Sequence, residues 1–531
     1  MTTQTPSSDT AILTIDGLTV ALPRGADRRH AVKGASLELF PREILCVVGE
    51  SGSGKSVLSA ALMGAVPKGL AIESGRILLQ GKDLALASER ELTRIRGRDI
   101  AMIFQEPMSA LNPALTVGEQ IEEMFVLHTD LAAEARRART RALVEAMHLP
   151  DPDRILASYP HELSGGQCQR VVIAMALALD PKVLIADEPT TALDVTTQAQ
   201  VLKLIRELKD SHGHGILFIT HDFGVVADIA DRIAVMRGGE IVEIGTARQV
   251  LTQPAHDYTR ALIAAVPSLT PRAPRAARAA EPVLEISSLE HHYGRTKALN
   301  DISLTLRRGE VVSIVGESGS GKSTLAKAAI RLIDPTGGAI SVSGTPFLAL
   351  KGGALRQKRR LIQMVFQDPV GSLNPRRTVG EMISRAAILS GASRAEATRR
   401  AEDLLELVGL QKSAYHRRPA AFSGGQRQRV GIARALAMHP EVLIADESVS
   451  ALDVSVQAQV LELLKSLQEK LNLGILFITH DLRVAAQISD EIVVMHKGRI
   501  VEKGPAEAVL LAPQDPYTRS LIEAAPGRGS I

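Results

Sequence analysis

Two stretches of this chain carry the same eight residues, GESGSGKS: Gly49, Glu50, Ser51, Gly52, Ser53, Gly54, Lys55 and Ser56, and again Gly316, Glu317, Ser318, Gly319, Ser320, Gly321, Lys322 and Ser323. A turn of the form G-x-x-x-x-G-K-[ST] aims successive backbone N–H groups inward, and the helix opening at its end adds positive charge, so the segment is suited to hold phosphate oxygens. Lys55 and Lys322 are placed to reach the β- and γ-phosphates of a nucleotide, and Ser56 and Ser323 to put a hydroxyl on Mg²⁺. Further along each half, VLIADE ends an apolar run in two adjacent carboxylates, Asp187 with Glu188 and Asp446 with Glu447. Alternation at a strand end gives the acids different tasks: Asp187 and Asp446 hold Mg²⁺, often through water, while Glu188 and Glu447 orient and polarise an attacking water. ITHD then places His221 and His480 at the same spacing from those acids in both halves, where an imidazole senses the γ-phosphate. A third motif, LSGGQ or FSGGQ, supplies Ser164, Gly165, Gly166 and Gln167, and Ser423, Gly424, Gly425 and Gln426, at the start of a helical pattern. It is another anion-binding arrangement, and a second one per half makes sense if it grips a nucleotide held by the other half.

The elements that must position these residues follow from the apolar pattern. Ile44 to Val48 and Val311 to Val315 read as buried strands leading into the two glycine-rich loops. Further strands are expected at Val183 to Ala186, Ile216 to Thr220 and Ile233 to Met236, and at Val442 to Ala445, Ile475 to Thr479 and Ile492 to Met495. Apolar runs alternating with helical patterns predict an α/β fold with a largely parallel sheet covered by helices. Around Val117 to Met147 and Val379 to Val408 the pattern is helical without buried strands, which predicts a smaller helical subdomain in each half.

At 531 residues the chain exceeds one hydrophobic core. Matching motifs recur at an interval that shortens over the front of each half and then stays constant from Ser164 and Ser423 onward, so the chain is a duplication of one fold. Between the copies lies PSLTPRAPRAARAAEP, Pro267 to Pro282, rich in Pro, Ala and Arg and read as an exposed linker. A net charge of +3 gives no electrostatic case for nucleic acid, and 3% aromatic residues with no Trp leave no base-stacking platform. Two cysteines, Cys46 and Cys168, exclude a disulfide framework and fit a reducing compartment. The N-terminal MTTQTPSSDT lacks the basic and apolar regions of a signal peptide. Apolar runs such as Val171 to Leu179 are too short to span a bilayer, so the chain is expected to meet a membrane only through a partner.

Taken together, the motifs resemble those of a tandem ATP-binding cassette protein, the ATPase part of an ABC transporter. The resemblance implies two nucleotide-binding domains, each with a RecA-like, mostly parallel core, an antiparallel β part and a helical subdomain. The implied boundaries are a flexible N-terminus over 1–10, a first ATPase domain over 11–252 and an extension with linker over 253–282. A second ATPase domain over 283–512 and a final extension over 513–531 complete the chain. In that family two cassettes stack head to tail, so one ATP would lie among Lys55, Gln105, Glu188, His221 and Ser423 to Gln426. The other would lie among Lys322, Gln367, Glu447, His480 and Ser164 to Gln167. Gln105 and Gln367 join Ser56, Asp187, Ser323 and Asp446 as implied Mg²⁺ contacts. Asp194 in TALD and Asp453 in SALD match the loop that communicates between sites.

QEPMSALNPALTVGEQI from Gln105 and QDPVGSLNPRRTVGEMI from Gln367 resemble importers of the dipeptide, oligopeptide and nickel group. YPHELSGG is of the same type, and HDYTRALIAAVP from His256 and DPYTRSLIEAAP from Asp515 resemble that group's C-terminal extension. A fused pair of this length is similar to single-chain ATPases of peptide importers, including the microcin C type. The implied activity is ATP hydrolysis, with Mg²⁺, at the cytoplasmic face of a bacterial inner membrane. The implied partners are two membrane permeases and, indirectly, an external solute-binding protein. The extension of some members holds an iron–sulfur cluster; with no cysteine in either extension here, none is expected. The alternative, a soluble tandem cassette acting on ribosomes or DNA, lacks its usual long charged insert or zinc-binding cysteines in this chain.

Three departures stand out. The family's adenine-stacking aromatic is matched by Tyr293 in the second half but by Leu22 in the first. Ala420 and Ala421 stand where the first half has His161 and Glu162, and Ser448 stands where it has Pro189. Unequal sites are expected, with the Lys55 site binding ATP more loosely. Cys168, in the position of Arg427, is expected to be a small helix residue.

Overall fold

Strand Ile44–Val48 has every residue buried, as do Val183–Asp187 and Gly215–Thr220. Continuous apolar runs of this kind belong to strands covered on both faces. In a computed structural model they lie in a six-stranded sheet of order Glu240–Thr246, Arg232–Arg237, Ile44–Val48, Gly215–Thr220, Val183–Asp187, Ile100–Ile103. All neighbours are parallel except the first pair. The second half repeats this arrangement with Arg499–Pro505, Glu491–His496, Val311–Val315, Gly474–Ile478, Val442–Asp446 and Ile362–Val365. Parallel strands bring their carboxyl ends to one edge, and there the chain leaves Val48 for the glycine-rich loop, Asp187 for Glu188 and Thr220 for His221.

The structure describes residues 10–26, 28–190, 193–273, 280–368, 371–450 and 452–527, apart from the His212 side chain. Nearly all of the expected flexible N-terminus, residues 274–279 of the linker and the last four residues of the final extension lie outside them. So do Thr191 and Ala192 of TALD, Ala451 of SALD, and Pro369 and Val370 after Gln367. The described chain divides into two compact units, one built on the residues up to Val266 and the other on Pro267–Ala525.

Period-two alternation in the central strand feeds two cores. Leu45 and Val47 join Leu13, Ile15, Leu18, Val32, Leu37, Ile77 and helix Lys55–Leu62 on one face. Those residues come from an antiparallel sheet of order His30–Leu39, Leu13–Ala21, Ala71–Leu79, Lys82–Asp83. Ile44, Cys46 and Val48 face the other way, toward Phe218, Val171, Val201 and the helical subdomain with Ile121, Phe125 and Val144. The second unit packs Val312 and Ile314 against its own antiparallel sheet in the same manner.

The helical subdomain is fixed by local chemistry. In TVGE the Thr116 hydroxyl accepts from Glu119 N–H, and the Glu119 carboxylate accepts from Thr116 N–H, a capping box opening helix Val117–His128. Thr378 and Glu381 repeat it before Val379–Leu389. Helices Ala133–Ala146 and Arg394–Leu407 follow.

One expectation is corrected. Part of the linker read as exposed is docked on the second unit: Leu269 packs against its Val494 and Leu521 cluster, Arg272 N–H donates to the Ala486 carbonyl, and the Arg272 guanidinium pairs with Asp490. Asp490 also accepts from the Val311 N–H, so an arginine the composition assigned to solvent is half-buried beside the strand that leads to the second loop. The short edge strands Ile100–Ile103 and Ile362–Val365 were not anticipated, because four residues carry too little periodicity to be distinguished.

Candidate ATP sites

Each glycine-rich loop turns out of its central strand through glycines in left-handed conformations, Gly52 at φ 78° and Gly54 at φ 109°, with Gly319 at 80° and Gly321 at 105° in the second unit. A Cβ on Gly49 would meet the Met236 carbonyl and one on Gly316 the Met495 carbonyl, so neither position admits a side chain. Helices Lys55–Leu62 and Lys322–Ala329 begin directly at the lysine, with Gly54 and Gly321 as N-caps. Lys55 Nζ curls back and donates to the Gly49 and Glu50 carbonyls at 2.7 and 3.1 Å. Lys322 does the same toward Gly316 and Glu317 at 2.7 and 2.8 Å, and burial lowers its pKa.

Asp187 and Asp446, 6% and 5% exposed, end the strands that lie one strand beyond the neighbour of each central strand. Burial raises the pKa of both, Asp446 to about 6, with the neighbouring Glu447 charge adding to the effect. Asp187 Oδ2 accepts from Ser59 Oγ at 3.1 Å, while its Oδ1 is buried with no hydrogen-bond partner among the described residues. In the second unit Ser323 Oγ lies 3.4 Å from Asp446 Oδ1, and Ala326 occupies the position of Ser59.

The catalytic candidates converge. Glu188 and Glu447 adopt left-handed backbones, φ 47° and 43°, unusual for residues with a side chain. Their N–H groups still continue the sheet, donating to Ile219 and Ile478 carbonyls at 2.9 Å. Gln105 Nε2 donates to Glu188 Oε2 at 3.1 Å, and His221 Nδ1 lies 3.3 Å from Oε1. Gln367 and His480 flank Glu447 in the same way, at 2.7 and 3.5 Å. Burial opposes the imidazolium of His221, but the hydrogen bond and charge of Glu188 outweigh it and its pKa is raised. At Glu447 burial is likewise outweighed, by His480, and the carboxyl pKa is lowered. The first shift favours the charged imidazole of His221 and the second the charged carboxylate of Glu447.

Ser164 and Ser423 are N-caps of helices Gly165–Leu177 and Gly424–Leu436. Each hydroxyl accepts from the N–H of Gln167 or Gln426, whose side-chain carbonyl accepts from the serine N–H. Gly166 packs where a Cβ would strike Thr197, and Gly425 where it would strike Val456, which ties the motif to the helix after TALD or SALD. Tyr293 ends strand Pro282–Tyr293 with its ring half-exposed and edge-on to His291. Cys168 is a buried thiol, 3.4 Å from the Pro160 carbonyl; Arg427 reaches the equivalent Pro419 carbonyl at 3.0 Å.

Within each unit the structure brings together the loop lysine, the two acids, the glutamine and the histidine. Three residues were missed. Ser59 stands one helical turn after Lys55, a spacing that puts both on one face. Tyr258 and Tyr517 accept hydrogen bonds from the loop N–H groups of Glu50 and Glu317, at 3.2 and 3.1 Å, across about two hundred residues that no local pattern connects.

The sequence matches known protein families over much of its length. The ABC transporter family model matches residues 32–191 and 299–450, and the oligopeptide/dipeptide transporter C-terminal region matches 242–291 and 501–529. The chain therefore belongs to the ABC transporter family, as an ATP-binding ATPase with two fused cassettes, each followed by the extension of the oligopeptide/dipeptide branch. It is 45% identical over 557 residues to the glutathione import ATP-binding protein GsiA of Salmonella typhimurium, covering 97% of this chain and 89% of that one. It is 46% identical over 529 residues to the peptidoglycan transport ATP-binding protein YejF of Agrobacterium fabrum, covering 97% and 96%. A solved ATP-binding cassette dimer bound to ADP and Pi aligns at 28% identity and TM-score 0.41 over 44% of this chain and 99% of its own.

Proposed function

We propose that this chain is the motor subunit of a bacterial importer for peptides or a related small solute such as glutathione. The observation that carries the reading is the doubled and complete set, Lys55, Asp187, Glu188, Gln105 and His221 with Lys322, Asp446, Glu447, Gln367 and His480, on a chain whose two extensions match the oligopeptide/dipeptide branch. The relatives named above are themselves import or transport ATP-binding proteins.

In this reading residues 11–252 and 283–512 are the cassettes, with extensions over 253–282 and 513–531. The N–H groups of Gly52 to Ser56 and of Gly319 to Ser323 cradle the phosphates, and the lysines leave the loop carbonyls for the β- and γ-phosphates. Glu188 and Glu447 accept the proton of the attacking water, the negative form being favoured by His221 and His480. Gln105 and Gln367 hold the second carboxylate oxygen and so fix its direction. Ser56 with Asp187, and Ser323 with Asp446, would hold Mg²⁺, and the unpartnered buried Oδ1 of Asp187 fits a cation there. The ion supplies neutralisation of phosphate charge. Tyr293, half-exposed, stacks on the adenine of one nucleotide.

Each ATP is shared, with Ser423 to Gln426 completing the Lys55 site and Ser164 to Gln167 the Lys322 site. Closure on ATP pulls two permeases, which dock on the exposed apolar residues around the glutamine loops and subdomain helices: Phe104, Met108, Val126 and Leu127, and Phe366, Ile388 and Leu389. No helix among the described residues is long and apolar enough to cross a membrane. Attachment to the inner membrane would be peripheral, through those partners. The experiment is copurification with candidate permeases from the native membrane, reconstitution in liposomes and a screen of peptides and glutathione with the cognate binding protein. Solute-stimulated ATPase activity is expected; a chain that binds no permease and hydrolyses ATP without solute response would refute the assignment.

A further inference from the structure

The extension that follows each cassette is built to touch its own phosphate loop. In the first unit the turn before helix Asp257–Ala264 is anchored by Glu243, whose carboxylate accepts from the N–H groups of Ala255 and His256 at 2.7 and 3.1 Å. His256 then caps the helix, its Nδ1 accepting from the Tyr258 N–H at 3.0 Å. Leu262 and Tyr258 pack into the same core as Phe218 and Val48, which sets the helix against the sheet edge where the loop begins. The Tyr258 ring lies under the Arg237 guanidinium, 4.8 Å from its centroid, and the phenol oxygen accepts from the Glu50 N–H. Burial pushes that phenol up to about 12, so it stays a neutral hydroxyl at working pH.

The second unit repeats each part, keeping the anchoring Glu and the Tyr and changing the cap and the ring partner. Glu502 accepts from Gln514 and Asp515 N–H groups at 2.8 and 3.1 Å, and Asp515 caps helix Pro516–Glu523 by accepting from Tyr517 N–H at 2.8 Å. His496 replaces Arg237 against the ring, at 4.0 Å, and the phenol again meets the loop, at Glu317 N–H. A cap changed from His to Asp and a ring partner from Arg to His, with the phenol-to-loop bond kept, mark that bond as the product of the arrangement.

We infer that Tyr258 and Tyr517 are positioning residues for ATP: each latches the second residue of its own phosphate loop, so that the extension holds the loop in the conformation that receives phosphate. The following N–H groups then face inward before nucleotide arrives, and the ordering cost is met by the fold instead of by ATP affinity. Neither phenol touches the reacting atoms. The latch therefore acts on nucleotide binding and leaves the chemical step alone, which separates it from Glu188 and Glu447. The inference rests on the reading of residues 49–56 and 316–323 as phosphate cradles.

Y258F, Y517F and the double variant of the full chain keep the ring and its packing while removing the hydroxyl. Amide exchange without nucleotide is expected to quicken in the loop peptide of the altered unit only, 49–58 for Y258F and 316–325 for Y517F. In steady state the KM for ATP of the double variant should rise by about fivefold, the worth of one ordinary hydrogen bond, with kcat within about twofold of the parent. Unchanged loop exchange would overturn the latch. Faster exchange with unchanged KM would overturn its role in binding, and a loss confined to kcat would place the phenols in the chemistry instead. If Mg-ATP failed to protect either loop peptide in the parent protein, the cradle reading itself would fall, a result distinct from the others.

Discussion

Replacing Glu188 and Glu447 by Gln tests the chemistry with almost no change of shape. In the parent, Glu188 offers one oxygen to Gln105 Nε2, at 3.1 Å, and the other to His221 Nδ1, at 3.3 Å. A carboxamide has only one acceptor oxygen. If that oxygen faces Gln105, its NH₂ faces Nδ1, which then has to be an unprotonated acceptor, with the ring proton on Nε2. In E188Q/E447Q two consequences follow. General-base assistance disappears at both sites, worth about 10²- to 10⁴-fold in turnover, or about 3–5 kcal/mol of barrier. The raised pKa of His221 also loses its main cause, so the imidazole is expected to titrate below its parent value, since burial lowers it and only the Asp222 charge is left to oppose that. Because folding with a raised histidine pKa is favoured below the unfolded value near 6.5 and the gain is lost as pH rises through the folded value, the variant should lose stability relative to the parent at pH 6 more than at pH 8. Phosphate release by the purified chain, nucleotide affinity by equilibrium binding and His221 titration by NMR are the assays. ATP affinity should stay within about threefold of the parent. Hydrolysis within about tenfold of the parent rate, or a His221 pKa that does not fall, would refute the assigned roles.

Two other perturbations have directions set by the structure. Asp446 is raised to about 6 from an ordinary value near 3.8, so its ionisation opposes the nucleotide-free fold above pH 6. D446N should therefore stabilise that state by about 2 kcal/mol at pH 8, with the gain shrinking as pH falls through 6 toward 4; urea unfolding at several pH values checks it. Gly49→Ala forces a Cβ onto the Met236 carbonyl and should cost about 1–3 kcal/mol while abolishing ATP binding at the first loop, read by thermal unfolding and nucleotide titration of the Lys322→Ala background.

The parts of this molecule that were legible in its sequence are those where local pattern and local structure coincide. Strand Ile44–Val48 is an uninterrupted apolar run and Val311–Val315 is one broken only by the buried Ser313, and both begin and end where the pattern does. Gly215–Thr220 and Gly474–Ile478 each start one residue before the apolar run, at a glycine that packs against the chain leading into the central strand, Phe40 in one unit and Arg307 in the other. TVGE, quoted as a family marker, has a physical reading of its own as a capping box. What stayed hidden depends on distance along the chain. Nothing near Tyr258 announces Glu50, and nothing in an Arg- and Pro-rich linker announces that Arg272 meets Asp490. The left-handed backbones of Glu188 and Glu447 were equally invisible, since local preference disfavours them and only the surrounding sheet and the Gln and His contacts hold them there.

Each nucleotide is proposed to be enclosed by the phosphate loop of one cassette and the SGGQ motif of the other, and a crosslink tests this directly. Ser51→Cys paired with Ser423→Cys, in the E188Q/E447Q background, should form an internal disulfide under mild oxidation when Mg-ATP is present and not in its absence. Formation of the bond by Ser51→Cys with Ser164→Cys instead, with none to position 423 at saturating ATP, would contradict the shared-site arrangement.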